Sequence, residues 1–329
     1  MDTTFVVDYG SHTVKHTCFS KSDKSSAFDV SPNEVPSRAY VDDTLDVALL
    51  GKHLAELLSD ACPEDSGLTL ALLVDALLPQ WKRELVLKCC IEHLDAKQVF
   101  LGNVAATALF SVAETTGIGV DIGYRGVRIV PVVNGVARTS LCADVPLVGA
   151  RQTDNVLRRH IPQAEEALLQ MLKATACFIG DEAPALPQQL MLPDGSSLPF
   201  PLSTSTCREA GEALLFHAPH IRAPDVLQHT YQKCLLELPS LKHWVLFGGA
   251  SSITGTREAL RGAMNRVVAP LQGATPPQLL HVKSPMQAAL SGGVIVSQLS
   301  SFKSMCVSAA EYAEEGPHRC IHLKTVDER

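Results

Sequence analysis

Two strand-like segments of this chain end in the same way, and this repetition constrains the fold most strongly. The first segment, FVVDYGSHTVKHTCF, carries Asp8 and Gly10 where its apolar run ends. The second, IGVDIG, carries Asp121 and Gly123 at the corresponding place. Each is followed by another apolar run, so each predicts a β-hairpin. The repetition predicts an internal duplication in which the two hairpin tips point at one shared ligand.

The rest of the chain alternates between strand-like and helix-like patterns. Further apolar runs at 68–75, 127–135 and 244–249 predict strands. Helical spacing is found between the strands, at 81–94, 103–113, 150–159, 163–179, 224–237, 255–268 and 285–304. LPDGSSL predicts a tight turn between two short strands. The alternation predicts an α/β fold, and 329 residues suit two lobes.

Composition excludes several classes of protein. The net charge of -7 and the aromatic fraction of 5% argue against nucleic-acid binding. No apolar run reaches the roughly 18 residues that predict a membrane span, and no basic, apolar leader opens the chain. Ten cysteines without CxxC pairing, and no histidine cluster, indicate reduced thiols rather than a disulfide framework or a zinc site. We therefore expect a cytosolic globular protein.

The first hairpin carries the residue types that bind phosphate. A turn at Gly10 and Ser11 presents backbone N–H groups and a hydroxyl to phosphate oxygens. Lys15 on the returning strand supplies a positive charge. Asp8 and Asp121 can face a triphosphate only through a divalent cation, and Mg²⁺ accepts such carboxylates, directly or through water. The pattern predicts a metal–nucleotide clamp; the alternative is two plain turns with Asp as the turn former.

A third glycine-rich turn follows the segment WVLFGGASSITG. Gly248 and Gly249 end its strand, and a helical stretch begins after Gly255. Glycines at this place let the backbone approach a ligand closely. A plain strand-to-helix turn has the same pattern.

Taken in order along the chain, these segments resemble actin and the actin-related proteins. The resemblance is carried by VVDYGSHTVKHTCF, TTGIGVDIGYRGVRIVPVVNG, LPDG, LFGGASSITG and the tail LSGGVIVSQLSSFKSMCVSAAEYAEEGP. It is poorest between about 25 and 66. Within the family, VDIGYRGVRIVPVVNG, VPLVGA and LKATACFIGD are most similar to the subfamily at the pointed end of dynactin. Divergent members from chromatin-remodelling complexes are the alternative.

The resemblance implies an actin-like α/β fold of two lobes, built from duplicated ribonuclease-H-like sheets around a nucleotide cleft. The first lobe would comprise residues 1–112 and 287–329, with 31–65 as a reduced small subdomain. The second lobe would comprise 113–286, with 148–222 as its small subdomain.

The resemblance also implies which residues bind the nucleotide. Matched residue by residue, the candidates are Asp8, Gly10, Ser11 and Lys15 in the first phosphate loop, Asp121 and Gly123 in the second, Gly248 and Gly249 beside the adenosine, and Lys173 beside the purine. Asp8 and Asp121 would hold Mg²⁺ indirectly, through water. The implied cofactor is ATP or ADP with Mg²⁺.

The departures from the family pattern concern hydrolysis first. Tyr124 replaces an acid of the second phosphate loop, and Arg128 replaces the histidine that helps order the attacking water. The catalytic glutamine aligns with Val104, and Asn103 is one position away. We therefore expect very slow or no ATP hydrolysis, that is, a pseudo-ATPase.

Two further substitutions concern nucleotide binding. A glutamate near the ribose aligns with Ala174, and a lysine near the adenine aligns with Met286. Each lost contact costs about 1–3 kcal/mol if its partner stays buried and unpaired. The open alternatives are weak binding, a permanently held nucleotide, or none.

Two further regions bear on assembly. The segment at 31–65 contains no glycine-rich loop, and TLDVALLGKHLAELL predicts an amphipathic helix instead, so we expect actin's insertion loop to be absent. The cleft that receives a neighbour's loop in actin aligns with five residues, here called the barbed-side groove: Phe110, Val296, Leu299, Ser301 and Met305. On spacing alone, these residues are more typical of core.

A subunit with this groove and without the loop would terminate a filament. We expect a non-catalytic structural subunit that caps the pointed end of the actin-related filament of dynactin, in the cytoplasm, with filament subunits and other pointed-end proteins as partners. A nuclear scaffold of a chromatin-remodelling complex and a weak ATPase are the alternatives. No direct nucleic-acid or membrane contact is expected.

Overall fold

The computed structural model describes residues 3–20, 32–61, 67–191, 197–217, 220–238, 241–270 and 276–324. Its strands are β1 (Thr3–Tyr9), β2 (Thr13–Ser20), β3 (Asn33–Pro36), β4 (Tyr40–Val41), β5 (Thr44–Leu45), β6 (Leu68–Val74), β7 (Gln98–Asn103), β8 (Gly117–Ile122), β9 (Gly126–Val133), β10 (Val136–Ala137), β11 (Ala143–Pro146), β12 (Gln189–Met191), β13 (Ser197–Pro199), β14 (Phe216–His217), β15 (Ile221–Arg222), β16 (His243–Phe247), β17 (Gln278–Leu279) and β18 (Val307–Ser308).

The helices lie between these strands and cover the sheets. They are α1 (Val47–Ala61), α2 (Gln80–Lys88), α3 (Val104–Phe110), α4 (Ala150–His160), α5 (Glu166–Thr175), α6 (Thr204–Glu212), α7 (Ala223–Glu237), α8 (Thr256–Val268), α9 (Ala288–Ser297), α10 (Phe302–Met305) and α11 (Ala309–Lys324). Across the described segments, no helix is long and apolar enough to cross a membrane.

The first sheet has the strand order β18-β7-β6-β1-β2-β3. Strand β1 is buried along its whole length and separates two apolar layers. Because side chains alternate across a strand, Phe5 and Val7 pack with α1 and α2 on one face, while Val6 packs with α9 on the other. We call the part of the molecule built on this sheet the first lobe.

The second sheet has the order β10-β9-β8-β16-β17, with β11 pairing on β9. Ile118, Val120 and Ile122 of β8 face a core shared with α4, α5, α7 and α8. Val245 and Phe247 of β16 face a second layer that contains α3. The part built on this sheet is the second lobe.

The two sheets repeat one topology, as the sequence predicts. In each, an antiparallel hairpin (β1–β2, β8–β9) is followed by a strand that pairs in parallel with its first member (β6, β16), and then by one more parallel strand (β7, β17). The actin-like two-lobed α/β fold is therefore confirmed. The exact lobe boundaries stay predictions.

Several elements differ from the sequence-based expectation. Strand β7 was not predicted, and the helix expected at 285–304 is divided into a 3-10 turn, α9 and α10. The helix expected at 81–94 is α-helical only to Lys88 and continues as a π-helical turn, Cys89–His93. Strands β12 and β13 pair as LPDGSSL predicts, but the turn at 192–196 lies outside the described residues.

Candidate functional site

The two hairpin tips have the same length. Pairing ends at Tyr9 and Val14 in the first hairpin and at Ile122 and Val127 in the second, which leaves four residues at each tip. Gly10 is required at the first tip because a Cβ there would lie 2.6 Å from the carbonyl oxygen of Thr13.

Each hairpin places an acid directly opposite a cation. Asp8 pairs in register with Lys15, and Asp121 pairs in register with Arg128. The Lys15 ammonium is 3.0 Å from Asp8 Oδ2, and the Arg128 guanidinium is 3.8 Å from Asp121 Oδ2. Burial lowers the pKa of Lys15, but Asp8 more than offsets this effect and the pKa is raised. Both cations therefore stay charged beside the sequence-predicted acids.

A third strand adds a second acid to each cation. Lys15 also stands opposite Glu34 of β3, and Arg128 also stands opposite Asp144 of β11. Side chains opposite one another in antiparallel strands share one face of the sheet. Each lobe thus carries an acid–cation–acid row, Asp8–Lys15–Glu34 and Asp121–Arg128–Asp144.

Arg128 also crosses to the first lobe. Its Nε lies 2.5 Å from Oδ2 of Asp75, which immediately follows β6, and 3.8 Å from Oδ1 of Asp144. Burial lowers the pKa of Arg128, but Asp75, Asp121 and Asp144 more than offset this and raise it. The guanidinium is therefore a permanent charge among three carboxylates.

The Asp121 carboxyl has a strongly shifted pKa. The pKa of Asp121 is raised to about 7, chiefly by burial. Arg128 opposes this rise, while Asp75 and Asp8 add to it. A carboxyl with this pKa carries a proton for part of the time near neutral pH.

The hairpin tips meet across the cleft through two aromatic rings. The imidazole of His12 stacks on the Tyr124 ring with centroids 4.1 Å apart and an interplanar angle of 19°. His12 Nε2 also lies 3.1 Å from Oε1 of Glu166 on α5. The side-chain amide of Gln170 donates a hydrogen bond of 2.7 Å to the same Glu166 oxygen. Burial raises the pKa of Glu166, but these hydrogen bonds and the imidazole more than offset it, and the pKa is lowered.

A further contact joins the lobes beside the small subdomain of the first. Asp43 lies in the turn between β4 and β5 and forms ion pairs with two arginines. Its Oδ1 is 2.6 Å from Nη1 of Arg151 on α4 and 3.2 Å from Nη1 of Arg125. The Arg125 guanidinium lies 4.8 Å from the centre of the Tyr40 ring. The cleft is thus bridged at several separate points.

Asn103, next to the position of the family's catalytic glutamine, caps helix α3. Its Oδ1 accepts from the backbone N–H groups of Ala105 at 2.8 Å and Ala106 at 3.4 Å. Its buried Nδ2 has no hydrogen-bond partner among the described residues. The amide offers a donor, whereas orienting an attacking water by accepting its proton requires an oxygen.

The three residues predicted to lie beside the adenosine differ in their surroundings. Gly248 has φ +97°, and a Cβ there would lie 2.5 Å from Asp121 Oδ1, so this turn requires glycine. A Cβ added at Gly249 would have no described atom of a non-neighbouring residue within 4 Å. Lys173, by contrast, is buried, and its Nζ lies 2.7 Å from Oδ1 of the equally buried Asp154.

The barbed-side groove lies at the lobe junction, around α3, α9 and α10. Val296 is buried, while Phe110 and Met305 are partly buried in the same apolar cluster. Leu299 is 50% exposed, and Ser301 is exposed. The accessible part of the groove is therefore the rim formed by Leu299, Met305 and Phe110.

Sequence reasoning missed several residues of the cleft, among them His12 and Asp75. Asp75 ends the apolar run LTLALLVD, which is the same signal that singled out Asp8 and Asp121. His12 is a bulky residue directly after Gly10 and Ser11, at a tip where phosphate binding favours small residues. Both signals were present in the sequence.

The residues at the two tips do not fit a magnesium triphosphate in this arrangement. Rings stacked at 4.1 Å are in van der Waals contact, so no phosphate fits between them. The carboxylates that would face the metal already pair with protein cations, Asp8 with Lys15 and Asp121 with Arg128. No group of three or more metal-ligating side chains is arranged for a cation in the part of the chain that the structure describes. On the predicted adenosine side, by contrast, the space next to Gly249 is open.

Comparison with known families agrees with the topology. The sequence model described as Actin matches residues 156–326, more than half of the chain. The match includes the Gly248–Gly249 turn, the barbed-side residues of α9 and α10, and all of helix α11. The chain belongs to the actin family.

Proposed function

We propose that this protein is a non-catalytic, actin-related structural subunit that terminates an actin-related filament at its pointed end, as in dynactin, and so supports dynein-based transport on microtubules. The observation that carries the proposal is an asymmetry between the two ends of the molecule. The barbed-side groove keeps an exposed apolar rim, while the small subdomain, which lies at the opposite end in the actin arrangement, is folded onto its own lobe.

The groove supports contact with a neighbouring subunit. Leu299 is half exposed, and Met305 and Phe110 are partly exposed beside it. Exposed apolar rims of this kind mark protein interfaces. In the actin arrangement this face points towards the barbed end, so the neighbour would bind there.

In the actin arrangement residues 32–61 lie at the opposite end, and helix α1 of this segment packs on its own lobe. Within 32–61, helix α1 buries Leu50, Leu54 and Leu57 against the core of the first lobe. Tyr9 of β1 and His53 of α1 are joined by a hydrogen bond of 2.7 Å. The apolar side of this helix is therefore used within the subunit, and its other side is polar.

The cleft supports the non-catalytic part of the proposal. Val104 has no polar group, the oxygen of Asn103 is engaged in the helix cap, and Arg128 is held by three carboxylates. None of these groups is available to orient a water for attack on a phosphate.

A nuclear scaffold in a chromatin-remodelling complex is the second candidate. The same groove favours it, because an apolar rim also accepts the apolar face of a partner helix. The two candidates differ in their partners and in whether the protein is in the cytoplasm or the nucleus.

The experiment that separates them is purification of the tagged chain from its own cells at endogenous level, with bound proteins identified by mass spectrometry. Dynactin and dynein subunits are expected, and their recovery should fall when Leu299→Asp places an unpaired charge on the groove rim. Leu236→Asp is the matched control, because Leu236 is 87% exposed on α7, away from the groove. Recovery of chromatin-remodelling subunits would contradict the proposal. Equal recovery of dynactin subunits by Leu299→Asp and Leu236→Asp would also contradict it.

A further inference from the structure

We infer that this protein holds its two lobes closed with its own side chains, Arg128 in place of the metal and the His12–Tyr124 stack in place of the phosphates, so that closure needs no nucleotide. The inference concerns the cleft alone and does not rest on the proposed place in a filament.

The first step of the argument is charge. A divalent cation between Asp8 and Asp121 would balance their carboxylates, but each carboxylate already faces a cation in register, Lys15 or Arg128. Arginine cannot be deprotonated in a protein, so Arg128 remains positive. A Mg²⁺ ion placed beside it would meet a like charge at close range.

The second step is position. The pairs Asp8–Lys15 and Asp121–Arg128 are equivalent in the duplicated fold, yet only Arg128 reaches the other lobe. Its Nε contacts Asp75, which follows the central strand β6 of the first sheet, while its own strand β9 belongs to the second. One side chain therefore joins the two sheets at the point where the hairpins converge.

The third step is shape. His12 belongs to the first hairpin tip and Tyr124 to the second, so their stack joins the two turns directly. The imidazole is also fixed from the second lobe by Glu166, at 3.1 Å. The rings fill the gap between the turns and exclude a phosphate from it.

The fourth step is redundancy. Asp43 with Arg151, at 2.6 Å, bridges the lobes again on the side of the small subdomain. Three separate contacts made by different elements resist opening better than one exposed ion pair, whose contribution alone is small. Closure is thus distributed along the cleft.

The test is removal of the internal cation. Arg128→Met leaves Asp75, Asp121 and Asp144 without their counter-charge, so the midpoint of thermal unfolding should fall by roughly 5 °C or more. Millimolar Mg²⁺ without nucleotide should then raise the midpoint of Arg128→Met and leave that of the wild type unchanged. Arg159→Met is the control, because Arg159 is 67% exposed and pairs with Glu209 on the outer surface. An equal response of wild type and variant to Mg²⁺, or no destabilisation, would overturn the inference.

A second measurement keeps the inference falsifiable if Arg128→Met does not fold. The full wild-type chain is compared in EDTA and in millimolar Mg-ATP by thermal unfolding and by small-angle scattering. The same midpoint and the same radius of gyration in both are expected. A midpoint or a compactness that rises with Mg-ATP would show that nucleotide closes the cleft, and would refute closure by side chains.

Discussion

Arg128 Nε lies 2.5 Å from Asp75 Oδ2, and this ion pair joins the second hairpin of the duplicated fold to the first sheet. The same guanidinium is flanked in register by Asp121 and Asp144 on the neighbouring strands. In a family defined by a nucleotide between two lobes, this chain places a protein cation at the point where the lobes meet.

The Arg128–Asp75 pair should be coupled energetically. We expect a double-mutant cycle of Arg128→Met and Asp75→Asn, measured by denaturant unfolding, to give a coupling energy of about 1–3 kcal/mol. The physical reason is that either single change leaves a partly buried charge with fewer partners. Strictly additive effects of the two changes would show that the pair does not stabilise the fold.

The purified protein should not hydrolyse ATP above background. The acceptor oxygen of Asn103 is occupied by the cap of α3, and Arg128 stands where a water-ordering histidine is expected. Phosphate release is the measurement, with Asp121→Ala as the matched variant. Turnover at the level of polymerised actin that disappears in Asp121→Ala would contradict the pseudo-ATPase proposal.

Lys173 should stabilise the second lobe rather than bind a purine. Lys173→Met leaves Asp154 buried without its cation, which should lower the free energy of unfolding by about 3 kcal/mol. The double variant Lys173→Met/Asp154→Asn should recover part of this loss, because the neutral amide needs no counter-charge. If Lys173→Met unfolds like the wild type, the ion pair has no structural role and the purine contact expected from the family regains support.

The groove should bind its filament partner through its exposed rim. Met305→Asp places a charge in an apolar site and should weaken association by about tenfold or more, which corresponds to the ~1–3 kcal/mol lost on burying an unpaired polar group. The readout is the dissociation constant for the isolated partner subunit. Leu236→Asp, at an exposed apolar position on α7, should bind like the wild type. Equal binding by Met305→Asp would remove the groove from the proposed interface.

Stability should fall at mildly acidic pH through buried histidines. Burial lowers the pKa of His53, and Arg38 lowers it further. Burial and His53 likewise lower the pKa of His16. A depressed folded-state pKa gives stability that is present above the unfolded value near 6.5 and is lost as the pH falls below it, because the unfolded chain binds the proton first.

The check is denaturant unfolding of wild type and His53→Gln from pH 7.5 down to pH 5. The wild type should lose stability more steeply than His53→Gln over this range, since the variant lacks one of the protons taken up on unfolding. Identical slopes would mean that His53 does not titrate between the two states.

The hairpin duplication could be predicted because its signals are local. Asp8–Gly10 and Asp121–Gly123 end apolar strands, and turn residues follow each of them. The equivalence of the cations could not be predicted in the same way. It depends on cross-strand register, which places Lys15 and Arg128 opposite their acids.

The contacts across the cleft were beyond sequence reasoning for a related cause. His12 and Glu166 are separated by 154 positions and meet only because two lobes fold against each other. Within the second lobe, the family pattern predicts Lys173 beside a purine, and the structure adds Asp154 as a buried partner of its ammonium. Tertiary contacts of this kind leave no periodic signal.

The most direct test of the account is the nucleotide content of the native chain. The protein is purified from its own cells in buffer with Mg²⁺, denatured in acid, and the released nucleotides are separated and quantified against the protein. The account predicts far less than one ATP or ADP per chain, since Arg128 and the His12–Tyr124 stack fill the phosphate site. Close to one nucleotide per chain would contradict it.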